Sequence, residues 1–161
     1  MYDRPPASDD AEVEELLREG LGDVAARAGR GVPGAASGGR FGAKLSARWL
    51  PVRRHEDELE LPAVPPDEAV LLATDVLNHH GRAVWARPEP GGQRVRGVIG
   101  SGALDMNPAV VDIDVRPGGR LVVRAAGKEG LIPQRTAAKA VRKVIESLEL
   151  AARSYSAAPP S

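Results

Sequence analysis

The sequence predicts an α+β domain: an antiparallel sheet built in β-α-β4-α order, a long C-terminal helix packed on one face, and an N-terminal helical appendage. Three observations predict it. Val111-Asp112-Ile113-Asp114-Val115 alternates apolar and acidic residues without a break, the period-two signature of a strand with one dry face. Residues 133–152 repeat apolar side chains at helical spacing over about 30 Å, enough to cross a small sheet. Between 29 and 44, Gly31, Pro33, Gly34, Ser37, Gly38, Gly39 and Gly42 make a linker that cannot build a core and sets the first helix apart.

Residues 1–8 read as a disordered lead. Asp9 opens an amphipathic helix over 9–28, with Glu12 three residues on as in a capping box. Val13, Leu16, Leu17, Leu21 and Val24 form its apolar stripe, while Glu12, Glu14, Glu15 and Glu19 load the early turns with acid that suits the helix dipole. Gly20 and Gly22 weaken it. An apolar stripe on a flexible arm needs a partner surface, so Val13, Leu16 and Leu17 are expected to bind one, on the body of the chain or on another copy.

The α+β domain is expected over 45–153. Trp49, Leu50 and Val52 predict a short strand; Leu59 and Leu61 alternating with Glu58 and Glu60 predict another over 57–63. Pro65-Pro66-Asp67-Glu68 starts a helix that runs to about His79, with Gly81 as its stop. A strand over 83–86, a turn over 88–92, a strand carrying Val95, Gly97 and Ile99 inward and Arg94 and Arg96 outward, and a loop over 100–108 follow. The strand 109–116 turns at Pro117-Gly118-Gly119, and Leu121, Val123 and Ala125 return inward. That turn sets Arg116 opposite Arg120 and Asp112 opposite Arg124, cross-strand pairs that contribute about 0.2–1 kcal/mol each. The charged outer face reads as solubility chemistry that deters edge pairing. Ala138, Val141, Ile145 and Leu148, widened by Ala137 and Val144, give the last helix its stripe, and residues 154–161 fray.

From Leu59 onward, the order strand, helix, four strands, long helix resembles the helix-grip arrangement of the START and Bet v 1-like superfamily, in the TBP-like class, over about residues 57–152. No family-specific motif carries the resemblance, and the chain has fewer strands and one fewer helix than fuller members. The resemblance implies an apolar ligand between sheet and terminal helix and, in some members, cyclase or aromatase activity; fold alone does not fix function.

Composition narrows the classes. Aromatics are 3% of residues, so the core is built from Val, Leu, Ile and Ala and no base-stacking platform is expected. Net charge is zero, which disfavours nucleic acid as a partner. The absence of Cys excludes disulfides, thiol catalysis and Cys-ligated zinc. The first residues lack an apolar signal region and no stretch approaches the roughly 20 apolar residues that span a bilayer, so a cytoplasmic protein with no membrane contact is expected. Abundant Arg, Ala, Gly and Pro, with Lys only at 44, 128, 139 and 143, look like the codon bias of a GC-rich genome, and a bacterial source is expected.

The leading functional expectation is a non-enzymatic helix-grip-like domain that binds an apolar small molecule between sheet and C-terminal helix. Val95, Gly97, Ile99, Val111, Ile113, Leu121, Val123, Val141 and Ile145 would line that site, with Met106 at its mouth. Small residues at Gly97, Ala109 and Ala125 either leave a pocket there or let a helix approach closely. The alternative is a protein-interaction or self-assembly module, an oligomer joined through the N-terminal helix. Arg135, Lys139, Arg142 and Lys143 form a basic flank on the last helix, either a solvated face or a dock for an acidic partner such as that first helix; Glu146 sits one turn from Arg142 for an intrahelical pair. The third is a cyclase-type enzyme, which needs a polar group such as Asp105 or His79 buried in the pocket.

No motif assigns a catalytic residue, cofactor or metal. Asp105 stands where a dinucleotide fingerprint starting at Gly100 needs Gly, and Ile99 where a hydrolase elbow around Ser101 needs it. Arg40 replaces the lysine of a phosphate loop after Gly34 and Gly39. His79 and His80 are adjacent on a helix end and point to different sides, unlike an i, i+4 ligand pair.

Overall fold

A computed structural model describes residues 7–28, 49–101, 105–129 and 134–156. Their elements run α1 (Ala7–Ala28), β1 (Val52–Glu60), α2 (Pro66–His80), β2 (Gly81–Glu89), β3 (Gly92–Ser101), β4 (Asn107–Arg116), β5 (Arg120–Lys128) and α3 (Thr136–Ser156). The sheet is antiparallel, in the order β1-β5-β4-β3-β2. The α+β class, the β-α-β4-α order and the long C-terminal helix are those the sequence predicts. The linker 29–44 and the lead before residue 7 lie outside the described residues.

Strands pair where the alternation places them. Asp112 faces Arg124 and Arg116 faces Arg120 across the β4–β5 turn, as expected. The edge strand differs: β1 is one strand in continuous register with β5, from Val52 opposite Lys128 to Glu60 opposite Arg120. Its alternation is weak in the sequence because only Val52 and Leu59 are even partly buried. β2 is also longer than predicted, starting directly from α2 at Gly81 and crossing a bulge between Ala83 and Trp85. β3 runs through Ser101 and β4 starts at Asn107, so both ends of the expected loop 100–108 are strand.

The inner face of the sheet is closed by α2 and α3. Leu77, Val95, Ile99, Val111, Ile113, Leu121, Val123, Val141, Val144 and Leu148 are buried there in one cluster. α3 presents Ala137, Ala140, Val141, Val144, Leu148 and Ala152 to it, while Ile145 sits half-buried at the flank. The helix begins at Thr136, whose N–H donates to Glu129 Oε1 at 2.8 Å.

The outer face is not the solvated surface its charges suggest. α1 lies across it, and Val13, Leu16 and Leu17 pack on Val110 and Ala126, with Val52, Val84 and Val98 around them. These valines and Ala126 share strand parity with Arg96, Asp112 and Arg124, so the outer face is apolar toward one end and charged toward the other. Gly20, expected to weaken α1, lets it approach: a Cβ there would meet Pro108 Cβ at 2.7 Å.

Candidate functional site: the face under the first helix

Arg96 organises this face. Its parity on β3 puts it opposite Asp112 of β4, and its side chain is fully buried. Nε and Nη2 donate to the two oxygens of Asp112 at 2.6 and 2.7 Å, a bidentate fork. Nη1 donates to Glu12 Oε2 at 2.9 Å. Asp9 Oδ1 lies 2.8 Å from the same nitrogen but off hydrogen-bond alignment, so it contributes charge more than direction. Burial opposes the charge on Arg96, yet Asp112 and Asp9 outweigh it and hold the guanidinium protonated more firmly than usual.

Trp85 on β2 completes the arrangement. The guanidinium carbons of Arg87 and Arg96 stand 3.9 and 4.8 Å from its ring centroid, and its Nε1–H donates to Glu12 Oε1 at 2.7 Å. Glu12 therefore binds the sheet and does not close a capping box. Its neighbours behave alike: Asp10 meets Arg54 at 2.7 Å, Glu19 meets Arg82 at 3.5 Å, and Glu14 meets the buried Lys128 at 3.7 Å. An acidic helix thus lies on a cationic sheet. Beside it, Arg94 and Arg124 both donate to Asp114 at 2.6 Å. Burial alone would raise the Asp114 carboxyl, but these two bonds outweigh it and keep it below its usual range. An open groove of about 480 Å³ continues along this edge, between Asp9, Asp10 and Val13 of α1 and Arg54, His55 and Glu56 of β1.

The other residues singled out from the sequence divide into two groups. Val95, Gly97, Ile99, Val111, Ile113, Leu121, Val123 and Val141 do converge between sheet and α3, but as a filled core. At Gly97 the space is taken by Leu77, whose Cδ1 would lie 3.0 Å from an added Cβ, so small size there serves close helix approach. Met106 is 43% exposed and borders none of the four pockets described. The space near the terminal helix is instead a groove of about 540 Å³ at the sheet edge, between residues 59–64 and Glu149, Ala152 and Arg153.

Val13, Leu16 and Leu17 are buried against this chain's own sheet. The basic flank of α3 lies on the opposite side of the sheet from α1, so the two do not meet. Lys143 of that flank pairs with Asp105 at 2.7 Å. Asp105 and His79 are exposed, not enclosed. His80 is half-buried, with Nε2 2.7 Å from Ser147 Oγ, a contact joining the end of α2 to α3. Among the described residues no three His, Cys, Asp or Glu side chains gather to hold a metal, and no helix is long and apolar enough to cross a membrane.

The outer face looks solvated in the sequence because its prominent residues, Arg94, Arg96, Asp112, Asp114, Arg120 and Arg124, are charges that pair across strands. Val98, Val110 and Ala126 were the available signal: apolar residues on a face assigned to water. No protein-family model, no characterised protein and no solved structure matches the chain.

Proposed function

We propose that this is a protein-interaction module whose outer sheet face receives an acidic amphipathic helix, with α1 as its resident occupant. One observation carries the reading: a fully buried Arg96 whose bonds come jointly from the sheet, through Asp112, and from the helix, through Glu12. A helix held by charge pairs over a small apolar patch resembles a transient interface more than a core. A short tether of Gly-rich composition such as 29–44 holds a helix at an effective concentration of about a millimolar, so an outside helix must compete with it. A labelled peptide of residues 7–28 titrated against the full chain tests this. The wild type is expected to bind weakly, and the Asp9→Arg/Glu12→Arg chain, its own helix released, at least about tenfold tighter. Absence of binding to a variant that keeps its far-UV circular dichroism would sink the reading.

A second reading, an apolar small molecule held between sheet and C-terminal helix, is supported by the groove of about 540 Å³ at residues 59–64 and α3. Its size falls in the range of ligand sites and Leu59, Leu61, Val64 and Ala152 line it. Binding of an apolar dye such as anilinonaphthalene sulfonate, abolished by Ala152→Arg, is the expected result. Unchanged binding would count against it.

A further inference from the structure

The solvent side of the inner helices carries a row of charges that, among the described residues, meet no partner in this chain. On α2, Glu68, Leu71 and Asp75 follow helical spacing on one exposed side, with Asp67 beside them. On α3, Lys139, Arg142, Leu150 and Arg153 do the same, with Glu146 among them. Among the described residues none of these charged side chains makes an ion pair or hydrogen bond. Arg142 and Glu146 do not close the intrahelical pair their spacing suggests. Leu71 and Leu150 are 60% and 67% exposed, two of the most exposed large apolar residues described. Both helices cover the same side of the sheet, so an acidic helix and a basic helix, each with a bare leucine, lie next to one another on one molecular face.

We infer that this face binds a second copy of the chain. A two-fold axis along the helical layer sets α2 of each copy over α3 of the other, so the acidic helix meets the basic one twice. The charges fix orientation and the leucines are the apolar centre. A centre this small makes a weak dimer, with a Kd on the order of 10 µM. The surface is on the other side of the sheet from α1, so the inference stands apart from the helix-receptor reading.

Sedimentation equilibrium on the full chain tests it. The wild type is expected to dimerise and to weaken several-fold between about 0.1 and 1 M salt, as the screening length falls from about 10 to 3 Å. A Lys139→Glu/Arg142→Glu chain makes α3 acidic and is expected to be monomeric; so is a Glu68→Lys/Asp75→Lys chain, which makes α2 basic. Mixed one to one, these two restore both contacts and are expected to form a heterodimer. A wild type that stays monomeric to about 300 µM, ten times and more above that Kd, overturns the inference. So does undiminished self-association of either variant, or failure of the two folded variants to associate. Should a charge variant lose its fold, Leu150→Glu reads the same face and is expected to abolish the dimer; a dimer that survives it overturns the inference equally.

Discussion

On the inner face of the sheet, α2 and α3 press Leu77, Val141, Val144 and Leu148 against Val95, Val111, Ile113 and Val123 in one apolar cluster. On the outer face, α1 buries Val13, Leu16 and Leu17 over a small patch around Val110 and Ala126, and beside it the contact is polar and largely ionic, centred on Arg96. Apolar packing offers no charge for salt to screen and cannot be exchanged without exposing the core. A charge-held helix answers to salt, to pH and to competing acidic helices. The inner face is thus built to persist and the outer face to be addressed. Two leucines, both fully buried, put that contrast to its hardest test.

Leu148→Ala on the inner face is expected to cost about 2–5 kcal/mol in urea unfolding, because the sheet and both helices hold the cavity open. The same truncation at Leu17 is expected to cost about half as much, since α1 can lift and its loss is limited to the free energy of docking. Hydrogen exchange should show α1 amides opening before those of β4 in the Leu17→Ala chain. Equal costs with no separate opening of α1 would remove the distinction between the faces.

Arg96→Ala is the next largest, at about 3 kcal/mol, the low end for removing one partner of a buried pair. Asp112, Glu12 and Asp9 recover water once α1 lifts, which limits the loss. Trp85 reports this directly: it loses the Arg96 cation and its bond to Glu12, so its fluorescence should shift to the red as the indole becomes wet. An unshifted spectrum in a folded variant would show that Arg96 does not hold the helix.

The contrast also marks what sequence could and could not reveal. The inner face was legible residue by residue, because period-two spacing at 95, 97 and 99, at 111, 113 and 115, and at 121, 123 and 125 points one way on neighbouring strands. Its being filled was not legible, since Gly97 alone cannot say whether Leu77 or a ligand takes the space. The outer face was hidden for another reason. Arg96 and Asp112 look alike in sequence whether they face water or a helix; only Val98 and Val110 on the same side hint that something covers them. Where α1 would dock was beyond local pattern, because an apolar stripe does not name the surface that covers it.

Acid should separate the faces next. Asp114, on the outer side, is held below its ordinary 3.8 because bonds from Arg94 and Arg124 outweigh the cost of burial. The unfolded chain therefore takes up this proton at higher pH than the folded one, so the stability it contributes is complete above about pH 5 and is lost as pH falls through 3.8 and below. His80, at the inner helices, is shifted down from 6.5 by burial, then by Lys143 and His79. Here too the unfolded chain binds the proton first, so stability declines as pH drops below 6.5 toward the folded value. Asp114→Asn should flatten the lower limb of the stability curve and His80→Gln the upper one. Loss of both limbs on either substitution alone would mean that one region governs the whole response.

The smallest effect belongs to a pair that looks as good as any on the outer strands. Arg120 donates through Nε and Nη2 to both oxygens of Glu58, at 2.7 to 3.0 Å, across β5 and β1. The contact lowers the Glu58 carboxyl and raises the Arg120 guanidinium, each chiefly through the shared hydrogen bonds. Yet both side chains are about half exposed and none of the described helices covers them, so water replaces each lost bond and salt screens the rest. Arg120→Ala is therefore expected to leave the melting temperature unchanged within error, whereas Arg96→Ala, the same change two strands away, lowers it by several degrees. The two arginines have similar forks and different cover. If Arg120→Ala lowered the melting temperature as far as Arg96→Ala, bidentate geometry alone would stabilise this sheet, and α1 would have no part in making Arg96 matter.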